Sequence, residues 1–184
     1  MKQYIEQLSN TIVRVTYVIG EDSPRKSELI SEHFTKKEIE QGCYIKTPAS
    51  VKFLYDGRTV LEQTGEELTD QEVWKYVIDG EPQIEKKQTA NGEVSYIANA
   101  RKCFERYSHT GRLEFKIGKT ELLLGLGQYE DGIFDYRNHR EYLYESNMRI
   151  AMPILVTTGH YAILIDTESS MIFESNGRTV EFQI

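Results

Sequence analysis

Apolar and polar residues alternate along several short stretches of the chain. Val13, Val15 and Tyr17 share one face of an extended strand, whereas Arg14 and Thr16 point the other way. This period of two predicts a strand with one buried face. The same alternation recurs in three further stretches: 51–55, 113–117 and 161–165.

Residue pairs that accept positive φ separate the predicted strands and favour tight hairpin turns. They are Asp56-Gly57, Asp79-Gly80, Asn91-Gly92, Asp131-Gly132 and Asn176-Gly177. Many short strands without a βαβ rhythm predict an all-β, mainly antiparallel, two-layer sandwich. Only 25–41 and Thr69 to Tyr76 have helical spacing, so we expect one or two short helical turns at most.

Composition and charge narrow the class of protein. The 184 residues are 39% hydrophobic and 28% charged, which is typical of one globular domain. A net charge of −7 argues against nucleic acid as a partner, and no stretch has the roughly 20 apolar residues of a membrane span. Because Met1 to Ser9 lacks the apolar run of a secretory signal, we expect a cytoplasmic protein. The two cysteines, Cys43 and Cys103, are expected to be small apolar residues in strands.

Motifs that carry chemistry are missing from the sequence, and we expect neither a metal nor a cofactor. The four histidines are scattered singly. Glu130, Asp131 and Asp135 could supply the paired carboxylates of a glycosidase, but with 29 acidic residues a solvated loop is the better interpretation. Gly125 and Gly127 are expected to let a strand bend or approach another backbone closely.

From residue 101 onward the sequence resembles glycoside hydrolase family 31. The similar segments are Arg112 to Ile117, Thr120 to Gln128 with its Gly-Leu-Gly, Asn138 to Tyr144, Asn147 to Val156, and Gly159 to Asp166. Similarity extends more loosely over nearly the whole chain. Gln128 stands where the family usually has glutamate, and His160 and Ala162 depart from its Gly-Tyr-Gly strand, which blurs the substrate subgroup.

The resemblance implies a galactose-mutarotase-like β-sandwich that precedes a (β/α)₈ barrel. Such a barrel takes about 250 residues, so it does not fit in this chain. We therefore expect 1–184 to be a single N-terminal domain, truncated before the barrel of a retaining α-glucosidase or α-xylosidase. The two catalytic aspartates of the family lie on the barrel, so the fragment alone would not catalyse hydrolysis.

In the family, a loop of the sandwich reaches the rim of the sugar pocket. The matching segment here is 144–149, so Asn147 and Glu145 are the candidate ligands for hydroxyls of an α-linked oligosaccharide or glycoside. The alternative is that both are ordinary loop residues. The expected partner is the barrel of the same parent chain, and a homo-oligomer could form through the face that the barrel would cover.

Two other functions remain open at this point. One is a free-standing carbohydrate-binding sandwich, which would bind sugar by itself. The other is a mutarotase-type epimerase, which needs a convergent acid and base, and the sequence does not pair a histidine with a glutamate.

Overall fold

The computed structural model describes residues 1–20, 42–167 and 169–184, and every regular element in them is a β-strand. The strands are β1 (Lys2–Gln7), β2 (Val13–Val18), β3 (Tyr44–Lys46), β4 (Val51–Tyr55), β5 (Arg58–Ile78), β6 (Ile84–Thr89), β7 (Gly92–Ile97), β8 (Ala100–Lys116), β9 (Leu123–Gln128), β10 (Arg140–Leu143), β11 (Ile150–Thr157), β12 (Ala162–Leu164), β13 (Met171–Ser175) and β14 (Thr179–Gln183). The all-β, antiparallel prediction is confirmed.

The helical turn predicted at Thr69 to Tyr76 is wrong, because this segment lies inside the long strand β5. Its β-branched and aromatic residues favour a pleated strand, and pairing with a distant strand decides the outcome. The other helical prediction, at 25–41, lies outside the described residues.

The chain divides into two compact units, Met1–Leu68 with Gly111–Ile184 and Thr69–Thr110. A seven-stranded sheet has the order β10-β13-β14-β8-β5-β4-β3, and a three-stranded sheet has the order β12-β11-β9. The hairpins β1-β2 and β6-β7 form two further small sheets. Strands β5 and β8 are each divided between the two units.

The core of the first unit lies between the seven-stranded and the three-stranded sheet. Phe115, Phe173 and Phe182 come from the larger sheet, and Leu126 and Leu155 from the smaller one. The Phe173 and Phe182 rings lie 5.4 Å apart at 63°, and Phe115 meets Phe182 edge to face at 6.4 Å. Burial of both inner faces in one cluster makes this unit a two-layer sandwich.

Three of the five predicted turn pairs lie at the hairpins β4-β5, β6-β7 and β13-β14, whereas Asp79-Gly80 and Asp131-Gly132 connect strands of different sheets. Asp56 and Gly57 both have positive φ, 49° and 72°, and connect Tyr55 directly to its cross-strand partner Arg58. Two positive φ values are characteristic of the type I′ turn, whose twist matches that of paired strands. The turn sets the pairing of Tyr55 and Leu54, and the register shifts by one residue between Leu54 and Phe53.

Strand β9 approaches β11 so closely that side chains are excluded. A Cβ on Gly127 would lie 2.0 Å from the Ile150 carbonyl oxygen, and one on Gly125 would lie 2.5 Å from that of Ile154. Both glycines have positive φ, 124° and 101°. The register of β9 and β11 also shifts between Ala151 and Leu155. The predicted close backbone approach is confirmed.

The second unit is built from the outer parts of β5 and β8 and the β6-β7 hairpin. Asn99 joins its segments, because its side-chain amide donates to the Glu81 carbonyl at 2.9 Å and its Oδ1 accepts from the Gln83 amide at 2.9 Å. All the buried hydrophobic residues lie outside 69–110, so this unit is held by strand pairing and partly exposed contacts.

Candidate functional site

The segment 144–149 forms a tight turn between β10 and β11. The Arg149 amide donates to the Ser146 carbonyl at 3.1 Å, and Met148 has a positive φ of 66°. The structure places Glu145 and Asn147 within two residues of each other in this turn, with both side chains exposed. Within the described part of the chain, no hydrogen bond or ion pair engages either side chain. They are available to an external ligand.

A buried carboxylate on β10 contacts the last residue of the turn. Glu141 on β10 has a side chain only 8% exposed, and its Oε1 lies 3.4 Å from Arg149 Nη1. The Arg149 guanidinium also lies 5.4 Å from the centre of the Tyr129 ring. Burial raises the pKa of Tyr129 to about 12, and the negative charge of Glu141 acts in the same direction. The phenol therefore stays neutral below that pH.

Glu141 was not among the predicted site residues, although the alternation of β10 gives a signal. Glu141 and Leu143 share the inward face of the strand, and a carboxylate at an inward position predicts a cationic partner. Because Arg149 is eight residues away across a turn, only the fold identifies it as that partner.

Exposed apolar side chains lie in and beside the turn. Tyr142 precedes it, Tyr144 and Met148 lie within it, and Ile150 directly follows it. The Arg140 guanidinium stacks over the Tyr142 ring at 4.7 Å. Aromatic rings beside exposed amide and carboxylate groups can bind both the apolar face and the hydroxyls of a sugar.

The other predicted acidic residues have structural roles. Asp135 Oδ1 accepts from the Leu123 amide at 3.0 Å and from the Arg137 amide at 3.1 Å. Asp131 Oδ1 accepts from the Ile133 amide at 3.0 Å. Both carboxylates therefore accept backbone hydrogen bonds, and Asp135 also connects its loop to β9.

A cavity of about 290 Å³ lies inside the first unit, between β2, β4, β5, β8 and the segment 160–165. At its wall, Tyr17 Oη accepts hydrogen bonds from Gln63 Nε2 and from Gln3 Nε2, the second at 3.0 Å. Burial raises the pKa of Tyr17 to about 12. Apolar side chains form most of the lining, and Tyr17, Gln63, His160 and Tyr161 are among its polar members.

Histidines and potential metal ligands are scattered in residues 1–20, 42–167 and 169–184. In these ranges, His109 Nδ1 lies within hydrogen-bonding distance of Asp70 Oδ1, at 2.9 Å, and no histidine contacts a glutamate. The same residues contain no group of three or more metal-ligating side chains. No helix in the described ranges is long and apolar enough to cross a membrane.

The described residues thus define a class, an antiparallel β-sandwich with an exposed polar turn at one sheet. No protein-family model matches the sequence, and none of the curated proteins matches it significantly.

Solved structures show what the fold is similar to. A GH31 α-xylosidase from Xanthomonas citri matches 93% of this chain with a TM-score of 0.55 and 17% identity. A GH31 α-xylosidase from a soil metagenome, complexed with xylose, matches 98% of the chain with a TM-score of 0.53 and 14% identity. The chain corresponds to only 17% and 28% of those two proteins. The resemblance to family 31 is confirmed at the level of the fold.

Proposed function

We propose that this chain is the accessory, N-terminal sandwich of a family 31 α-glycosidase, which packs on a catalytic barrel and contributes the turn 144–149 to the sugar pocket. The observation that carries the proposal is the unequal coverage. Nearly all of this chain matches two GH31 α-xylosidases, yet it matches less than a third of either. A fold that recurs as a minor part of larger glycosidases supports an accessory role.

The apolar outer face of the three-stranded sheet supports the proposal that a partner domain covers it. Ile154 lies opposite Leu164, and Val156 lies opposite both Ala162 and Leu124, so one face of the sheet is apolar across all three strands. The opposite face, with Leu155 and Ile163, is buried in the core.

Val156 and Leu164 are more than two-fifths exposed on the outer face. A sheet that is apolar on both faces is typical of one that is covered on both sides. The catalytic barrel of the same parent chain is our proposed cover.

The turn supports the second part of the proposal. Glu145 and Asn147 lie exposed on a turn that the Glu141–Arg149 pair holds, so the backbone of the turn would lose little conformational entropy on binding a sugar. Their role would be to orient the sugar, because glycoside cleavage requires two carboxylates in the same pocket.

The test is an activity assay with aryl α-xyloside and aryl α-glucoside on this chain and on the longer polypeptide. We expect turnover only from the longer form. Asn147→Ala and Glu145→Ala should raise KM roughly tenfold there, since one lost hydrogen bond to a sugar costs about 1 kcal/mol or more. Asn91→Ala, in the β6-β7 turn, is the matched control and should leave KM unchanged. Turnover by the 184-residue chain alone would refute the accessory role.

A free-standing carbohydrate-binding module is the second candidate, and the exposed Tyr142 and Tyr144 at the turn favour it. It predicts saturable binding of xylose or maltose oligosaccharides by this chain in titration calorimetry. It also predicts that Tyr144→Ala abolishes the binding. Absence of heat up to millimolar sugar would leave the accessory role as the better account.

A further inference from the structure

Four large aromatic side chains lie together on the second unit, far along the sequence from the turn 144–149. We call them the aromatic face: Trp74, Tyr76, Phe104 and Tyr107. The Trp74 and Phe104 rings are 5.8 Å apart, and the Phe104 and Tyr107 rings are 5.0 Å apart. Tyr76 is two residues from Trp74 on β5 and therefore shares its side of the strand.

The distribution of exposure across these strands is the reverse of what folding alone would select. The four aromatic side chains are exposed by 43%, 71%, 45% and 66% respectively. The smaller Val73, Val77 and Cys103, at alternate positions, are half-buried. Leaving the largest apolar groups in water while covering smaller ones indicates a surface that binds something.

Charged groups mark the two ends of the aromatic face. The bonds His109–Asp70 at 2.9 Å and Arg101–Asp79 at 3.3 Å show that β5 and β8 run antiparallel here. Glu72 therefore lies at the Tyr107 end and Lys102 towards the other. Lys102 Nζ extends over the Trp74 ring at 4.9 Å from its centre.

This arrangement is complementary to itself. We propose that the aromatic face is a homodimer interface, in which a two-fold axis midway between Glu72 and Lys102 places Lys102 of each copy against Glu72 of the other. An isologous contact of this kind requires one patch with opposite charges at its two ends, which this face has.

The exposed area fits a weak dimer. With about 200 Å² for an aromatic side chain, the four rings expose about 450 Å² per copy, or about 900 Å² in the pair. The flanking charged residues bring the total to about 1,000–1,200 Å², the lower limit for specific interfaces. We expect a dissociation constant on the order of 10–100 µM.

A flat sugar-stacking platform fits the geometry less well. The Trp74 and Phe104 rings meet at 85°, and the Phe104 and Tyr107 rings at 58°, so they do not offer one common plane to a pyranose. Interdigitating with a second set of tilted rings is the better use of such a surface.

Trp74 is the sole tryptophan of the chain, so tryptophan fluorescence reports directly on the aromatic face. Between about 1 µM and 1 mM protein, sedimentation velocity should show a monomer becoming a dimer. Over the same range the Trp74 emission should shift to the blue as the ring loses water. Tyr107→Ser, which keeps the probe, should raise the dissociation constant at least tenfold. Tyr4→Ser, an exposed tyrosine on β1, is the control and should leave it unchanged.

Charge reversal is the most specific test of the proposed contact between Lys102 and Glu72. Lys102→Glu alone and Glu72→Lys alone should each weaken the dimer several-fold, and the double variant should regain it. A monomer at 1 mM overturns the proposal. So does a dimer that Tyr107→Ser leaves intact while Val156→Glu abolishes it, because that dimer uses the outer face of the three-stranded sheet. An emission shift of the monomer on adding maltoheptaose would assign the face to sugar and overturn it as well.

Discussion

Replacing Gly127 by alanine tests the close contact between β9 and β11. A Cβ at this position would lie 2.0 Å from the Ile150 carbonyl oxygen and 2.9 Å from the Met152 amide nitrogen. Both atoms belong to the backbone, so no side chain can rotate away. The two strands would have to separate where β11 begins.

Two costs add up in this variant. The φ of 124° is a conformation that costs a residue with a side chain about 1–3 kcal/mol. Overpacking against fixed atoms costs about 1–3 kcal/mol more. We expect a loss of about 3 kcal/mol or more from a total free energy of unfolding of about 5–15 kcal/mol. For a chain of this length that lowers Tm by about 6–12 °C.

Thermal unfolding followed by circular dichroism measures the effect. Gly111→Ala is the matched control, because Gly111 also lies in a strand, has no atom within 4 Å of its added Cβ and lacks a positive φ. We expect that control to stay within about 1 kcal/mol of the parent protein. A Gly127→Ala protein with the same Tm as the Gly111→Ala protein would refute the reasoning.

Three further outcomes follow from the packing and the buried polar groups. Phe182→Ala should cost about 3–5 kcal/mol in denaturant titrations, because the ring is fully buried in the core; a cost under 1 kcal/mol would contradict that packing. The raised pKa of Tyr17, about 12, means that the unfolded chain loses this proton first, so stability is complete below pH 10 and falls as pH rises towards 12. Tyr17→Phe should make the fall in stability with pH shallower. At pH 8 the same substitution should cost about 1–3 kcal/mol of unfolding free energy, because the buried Gln63 loses its hydrogen-bond acceptor. An unchanged dependence of stability on pH would show that Tyr17 does not cause the fall. Glu141→Gln should weaken the interaction between this side chain and the Arg149 guanidinium by about 1 kcal/mol and speed hydrogen exchange of the Arg149 amide. Unchanged exchange would show that other contacts stabilise the turn.

Local patterns predicted some of the strands of the first unit. Alternation identified β2 and β4, and Asp56-Gly57 identified the turn that follows β4, because these signals depend only on neighbouring residues. The spacing of apolar residues at Thr69 to Tyr76 predicted a helical turn, but this segment is a strand because it pairs with β8, some 30 residues later. The β-branched and aromatic residues of this segment favour a strand, but only its partner β8 decides between strand and helix.

The exposed residues of the candidate site were predicted from the sequence, but the contact that anchors them was not. Glu145 and Asn147 were placed on a turn by their resemblance to a family segment, and the structure shows that turn. Its anchor was not predicted, since Glu141 and Arg149 meet only after β10 and β11 have been positioned by different neighbours. The contribution of the turn to a sugar pocket remains a prediction.

Strand β8 belongs to two units of different character, and this has a consequence for local unfolding. Phe115, near one end, is buried in the core, whereas no side chain between 100 and 110 is fully buried. Amide protons beyond Gly111 should therefore exchange only through global opening, and those before it through partial openings of much lower free energy. One continuous strand then contains the boundary between two foldons, so the 69–110 unit can be shortened, lengthened or melted while the sandwich stays folded.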